Sequence, residues 1–286
     1  MRRDCPDRRD PGRTGQRPHP RWPGGPSGVL GGAVGVLYVL FIGLPIVALL
    51  ARAAQQDDLW GAITGDLAMT ALRLSVITSV ISIGVVIVVG TPIALTLARN
   101  GHWIARTVDA LVELPIVLPP VVAGVAMLMA FGRGRIVGGL VQEAGLDISF
   151  TTTAVVFAQI FVAAPFYIRS AKLGFQSVAR DYEEVSQTLG VSPLSTFRQI
   201  TLPLAAPAII TGLGLSWARA LSEFGATMMF AGNLLGETQT MPLAIMTAME
   251  TSLDSALALS ALLLVVSVLA LTALTLASRR RWGGRI

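Results

Sequence analysis

Cysteine is nearly absent: the chain of 286 residues has one, Cys5. A lone thiol makes no internal disulfide and offers no cysteine-based metal spacing. Histidine is scarce too. His19 and His102 lie far apart, neither in an HExxH-type grouping, and the sequence assembles no nucleophile–base pair. The single lysine, Lys172, stands between Ala171 and Leu173. A Walker A loop needs lysine followed by serine or threonine after a glycine-rich turn, so nucleotide chemistry would have to come from another polypeptide. Charged residues make up only 14% and aromatics 6%, against 53% hydrophobic residues. A soluble domain carries a larger charged fraction to cover its surface.

Where charge is missing, long apolar runs stand instead. Six are long enough to cross a hydrocarbon core, which takes about 20 helical residues: 29–50, 74–98, 111–131, 153–173, 204–224 and 256–277. Each is expected to be helical, because an isolated strand leaves its backbone groups unpaired in lipid. Together they make one integral membrane domain, 29–278. Residues 1–28 are rich in arginine and proline and poor in apolar side chains, the composition of a disordered basic tail. That tail and the run after it are too long for a cleaved signal peptide, so the first run reads as a retained span. A second short basic tail covers 279–286.

Most of the 22 basic residues fall in the two tails and in the loops after spans two and four, including Arg99, Arg106, Arg169, Lys172, Arg180 and Arg198. The opposite loops hold only Arg52, Arg133 and Arg135. The excess of basic residues on the cytoplasmic side places both termini in the cytoplasm, and the polar loop 181–203 with them.

That loop, DYEEVSQTLGVSPLSTFRQITLP, is the most specific segment of the chain. Asp181, Glu183 and Glu184 sit where acids favour the positive end of a helix dipole. Gly190 suits a left-handed helix stop. Ser192-Pro193 is an N-cap followed by proline at the first helical position. The expected shape is helix, glycine turn, second short helix through Ile200, ended by Leu202-Pro203. The spacing of Glu184, Gly190, Ile200, Leu202 and Pro203 resembles the EAA coupling motif of permease subunits in bacterial binding-protein-dependent ABC importers. Val185 and Ser186 stand where that motif usually has alanines.

Two further segments narrow the resemblance. The run from Glu113 to Gly124, ELPIVLPPVVAG, is similar to the proline-rich segment of sulfate and molybdate permeases. RALSEFGATMMFAGN at 219–233 and TQTMPLAI at 238–245 are closer to molybdate permeases of the ModB type. The resemblance implies an all-α integral membrane fold of six transmembrane helices, with a cytoplasmic helix-turn-helix coupling loop between spans four and five. It implies a non-catalytic permease subunit, forming a homodimer in the bacterial cell membrane. Its expected partners are two ABC ATP-binding subunits, which carry ATP and Mg, and an extracytoplasmic oxyanion-binding protein. The expected cargo is molybdate or tungstate, with sulfate or thiosulfate as the alternative. It further implies ATPase coupling at Glu183, Glu184, Gly190, Ile200, Leu202 and Pro203, and no cofactor, metal or nucleic acid on this chain.

An oxyanion path cannot be lined with carboxylates and needs hydroxyls, backbone amides or isolated positive charge. Thr78 and Ser82 in span two and Thr211 and Ser216 in span five supply hydroxyls, which either line the path or bond to helix carbonyls and neighbouring helices. Arg219 and Glu223, four apart near the outer end of span five, are gate candidates expected to face each other, read as a structural ion pair rather than an anion contact. Two other classes compete: a polytopic membrane enzyme, which would need a catalytic constellation, and a passive channel or scaffold, which would not need the coupling loop.

Overall fold

A computed structural model of the chain describes residues 26–135, 137–143, 145 and 147–282, and every regular element among them is helical. The expected disordered tail lies outside the described residues as far as residue 25. The described residues up to Ala48 and those from Leu49 onward form two separate units. The first is built on α1 (Pro26–Ala54), which contains Pro45 and whose apolar side chains from Val34 to Val47 are exposed. A helix apolar on every side is matched to lipid.

In the second unit, α2 (Leu59–Thr64) is started by Asp58, whose carboxylate accepts from Gly61 N. The long α3 (Asp66–Arg99) opens on an acid and closes on a base, matching its dipole at both ends. It starts eight residues ahead of the expected span. Next come α4 (Trp103–Val117) and α5 (Pro120–Phe131), bent by 119° across Leu118-Pro119. The expected third span is therefore not one straight helix. Leu118 precedes a proline and takes an extended ψ of 131°, and Pro119, also before a proline, takes 134°, because the following ring excludes the helical region.

Beyond α6 (Gly138–Glu143), Thr151 caps α7 (Thr152–Ser177). Then follow α8 (Arg180–Thr188), α9 (Pro193–Thr196), a π-helical turn (Phe197–Thr201), α10 (Leu202–Leu221), α11 (Gly225–Phe230), α12 (Met241–Thr251) and α13 (Leu253–Trp282). The expectations did not include α11 and α12. The helical backbone of α13 also runs to Trp282, beyond the point where the C-terminal tail was expected to begin. Among the described residues five helices are long and apolar enough to cross a membrane, and six if α4 and α5 together make one span.

The core centres on α7, packed between α3 and α10. Tyr167, Ile168, Ala171 and Phe175 of α7 meet Val86, Ala94 and Leu97 of α3 and Ala205 of α10. Contact between α7 and α10 is close because glycines thin both: a Cβ on Gly212 would collide with Ser170, and one on Gly174 would lie 2.8 Å from Ala208 Cβ. Small residues at such crossings let backbones approach where the solvent is lipid and hydrophobic burial gives little drive. A second cluster joins Ala123 and Met127 of α5 to Ala158 and Val162 of α7 and Ala226 and Phe230 of α11.

Candidate functional site

The segment 180–203 is built from local signals. Gly190, at φ +78°, ends α8 in a Schellman arrangement: Gly190 N donates to Gln187 O (2.9 Å) and Val191 N to Ser186 O (3.1 Å). Ser192 caps α9 by accepting from Ser195 N, with Pro193 at the first helical position. The buried hydroxyls of Ser186 and Thr196, 2.8 Å apart, brace the two short helices against each other.

Leu202-Pro203 does not end the second helix. Instead α9 runs through the π-turn into α10, and Leu202 N donates to Phe197 O, five residues back. Pro203 has no N–H and its ring crowds the carbonyl four residues earlier. The wider π-turn just before it accommodates both defects.

The six residues proposed for coupling face different ways. Glu184 and Gly190 are exposed, Ile200, Leu202 and Pro203 are half-buried, and Glu183 points inward. Glu183 Oε1 accepts from Arg99 Nη2 (2.5 Å) and from Thr201 Oγ1 (2.8 Å), fastening α8 to the end of α3 and to the π-turn. An apolar stripe runs along the outward side of α8: Tyr182, Val185 and the C-cap Leu189 are exposed, Leu189 at 77%, with exposed Leu194 on α9. None of these four was among the six residues expected to couple, although Val185 was noted at one of the motif's alanine positions. The spacing of Tyr182, Val185 and Leu189, three and then four residues on an otherwise polar helix, was the available signal.

In the interior, the amide of Gln159 on α7 bridges two hydroxyls of α3. Its Oε1 accepts from Ser82 Oγ (2.9 Å) and its Nε2 donates to Thr78 Oγ1 (3.1 Å). Trp217 Nε1 donates to Ser79 Oγ (3.1 Å), and Ser216 Oγ donates to Ala163 O on α7 (2.8 Å). Thr78, Ser82 and Ser216 are fully buried, their hydrogen bonds spent on their own and neighbouring helices. Thr211 is exposed and donates to Pro207 O of its own helix.

Arg219 and Glu223 do approach, at 3.9 Å, with side chains 36% and 1% exposed. The shorter contact of Glu223 is elsewhere: its Oε1 accepts from Ala226 N (2.7 Å), tying the start of α11. There Gly225 lies against Pro120, and a Cβ on Gly124 would be 2.7 Å from Ala226 O, so α5 and α11 are locked face to face. At the other end of the bent pair, Asp109 and Glu113 of α4 meet Lys172 (2.6 Å) and Arg169 (3.9 Å) of α7. Among the described residues no three histidine, cysteine or acidic side chains converge as metal ligands.

Residues 90–283 match the family described as the binding-protein-dependent transport system inner membrane component. The chain is 42% identical over 231 residues to the molybdenum transport system permease protein ModB of Mycobacterium tuberculosis, covering 81% of this chain and 87% of that protein. It is 35% identical to the probable transport system permease protein NifC of Clostridium pasteurianum, covering 86% of each. Identity with the sulfate transport system permease protein CysT of Salmonella typhimurium is 30%, over 84% of this chain and 88% of that one. Among solved structures, a bacterial ABC transporter involved in the import of the acidic polysaccharide alginate superimposes with a TM-score of 0.71 at 17% identity, over 89% of this chain and 96% of that chain. At that identity the likeness concerns the fold.

Proposed function

This chain belongs to the family of binding-protein-dependent transport system inner membrane components, and on that premise we propose that it is the permease subunit of an importer that carries molybdate, or tungstate, into the cell. ATP is hydrolysed on two partner subunits, which hold the nucleotide and its Mg; this chain does no bond chemistry. Two copies form the membrane unit with both termini in the cytoplasm, and an extracytoplasmic binding protein delivers the anion. The observation that carries the reading is the outward stripe of Tyr182, Val185 and Leu189 on α8, beside Leu194. An apolar patch on a polar projection favours a protein partner over water, and α9, the second helix of that projection, runs without a break into α10. Glu184 and Gly190 form the exposed part of the same surface, while Ile200, Leu202 and Pro203 join it to the span.

In this reading Thr78, Ser82 and Ser216 act as ties between helices, and Thr211, exposed on α10, remains the pathway candidate. Arg219, half-exposed beside buried Glu223, supplies positive charge at the outer gate, where α11 packs on the bent α5. Sulfate is the second reading on the strength of the sulfate permease relative. A polytopic enzyme ranks below both: buried Thr78, Ser82, Gln159 and Ser216 are bonded to helices or to one another, and buried Glu223 accepts from Ala226 N at the start of α11.

The test is ATP hydrolysis in proteoliposomes holding the chain, its ATPase and its binding protein. Molybdate-loaded binding protein is expected to stimulate hydrolysis, and Glu184→Arg to abolish the stimulation while the complex still assembles. Stimulation by sulfate alone would move the substrate. Absence of any copurifying ATPase would end the reading.

A further inference from the structure

Arg99 is the last residue of α3, and it gathers four elements at one point. Its Nη2 donates to Glu183 Oε1 on α8 at 2.5 Å, and its Nη1 to Val178 O, the C-cap of α7, at 3.2 Å. Its own carbonyl accepts from Arg180 Nη2 at 2.6 Å. Through Glu183, the same contact reaches Thr201 Oγ1 at the head of α10, at 2.8 Å. The Arg99 and Glu183 side chains are only 18% and 22% exposed, so water screens the pair little. Few other polar side-chain contacts join α8 to the spans, whereas the Ser186–Thr196 contact stays within the loop.

We infer that Arg99 is the positioning residue that transmits displacement of the 180–201 loop to α3, with Glu183 as its lever. The inference rests on the proposal that ATPase subunits act on this loop. A guanidinium suits the task because its planar fork fixes direction as well as distance, holding a carboxylate with one nitrogen and a carbonyl with another. Displacing α8 then pulls the end of α3 and the head of α10 together. The outer parts of those two helices hold the Ser79–Trp217 contact, which therefore moves as a pair.

The experiment uses the complete transporter in proteoliposomes: this chain, its ATPase subunits and its binding protein. Hydrolysis is measured with and without loaded binding protein, together with anion taken up per ATP. Arg99→Ala is expected to copurify with the ATPase, to keep basal hydrolysis within about twofold, and to lose roughly tenfold of the stimulation. Arg99→Lys, which keeps the charge without the fork, is expected to lie between wild type and Arg99→Ala, and the exchange Arg99→Glu with Glu183→Arg to regain part of what Arg99→Ala loses. Wild-type stimulation and uptake per ATP in Arg99→Ala would overturn the inference and leave the functional proposal standing. Failure of both Arg99→Ala and Arg99→Lys to assemble would overturn it too, making the contact a folding tie. An unstimulated wild type would take down the functional proposal and this inference together.

Discussion

Gln159 joins α7 to α3 through both halves of its amide, at a depth where the side chain is 1% exposed. Interhelical hydrogen bonds in membranes contribute modestly, so Gln159→Leu is expected to cost about 1 kcal/mol of stability for the two bonds. Thr78 and Ser82 keep their own helix carbonyls in that variant. Molybdate uptake is therefore expected to stay within about twofold of wild type, with the loss appearing in thermal or denaturant unfolding instead. A many-fold rise in the KM for uptake would instead place Thr78 and Ser82 on the anion path. The residue scale also marks a limit of the sequence. Glu183 and Glu184 are neighbours, about 100° apart around a helix, so they point different ways and one of them faces the spans. Arg99, 84 residues away, decides which. No local pattern carries that information. Serines and threonines were visible as polar groups in apolar spans, but whether each bonds across or lines a path depends on partners such as Gln159 and Ala163, which only packing brings near.

Among the elements, the π-turn at 197–201 is the least regular and the most exposed to test. Pro203→Ala restores an N–H that Gln199 O can accept, removing the reason for the wider turn. The turn is expected to relax toward α, rotating α8 and α9 against α10 by up to about 100°. Assembly is expected to survive while binding-protein-stimulated hydrolysis falls roughly fivefold, and hydrolysis equal to wild type would show that the π-turn carries no load. The sequence announced the pieces of this element and misjudged their order: Pro203 was read as a terminator, whereas a helix already running tolerates proline where one wide turn absorbs it. Pro119-Pro120 stands in plain view inside the third apolar run, and the size of the bend there, 119°, follows from two successive residues forced out of the helical region. Helices α11 and α12, with six and eleven residues, are too short for a periodic signal to stand out. The capping of α8 and α9 was legible: Gly190, Ser192 and Pro193 act as their chemistry requires.

At the scale of the whole molecule, the described second unit is a set of spans around α7 with two working ends. One end is the α5–α11 contact held by glycines and Glu223; the other is the 180–201 loop fastened by Arg99. In the proposed function ATP is hydrolysed on partner subunits, and this loop receives the work. In that reading the work arrives at the outward stripe of α8. Cross-linking tests it most directly: Leu189→Cys in a Cys5→Ala background, with Leu235→Cys as the comparison on the opposite, exposed α11–α12 loop. A short thiol-reactive cross-linker is expected to join Leu189→Cys to the ATPase subunit, and Leu235→Cys to leave the ATPase unlinked. Linkage of the ATPase through Leu235→Cys but not through Leu189→Cys would show that the ATPase docks elsewhere than on α8.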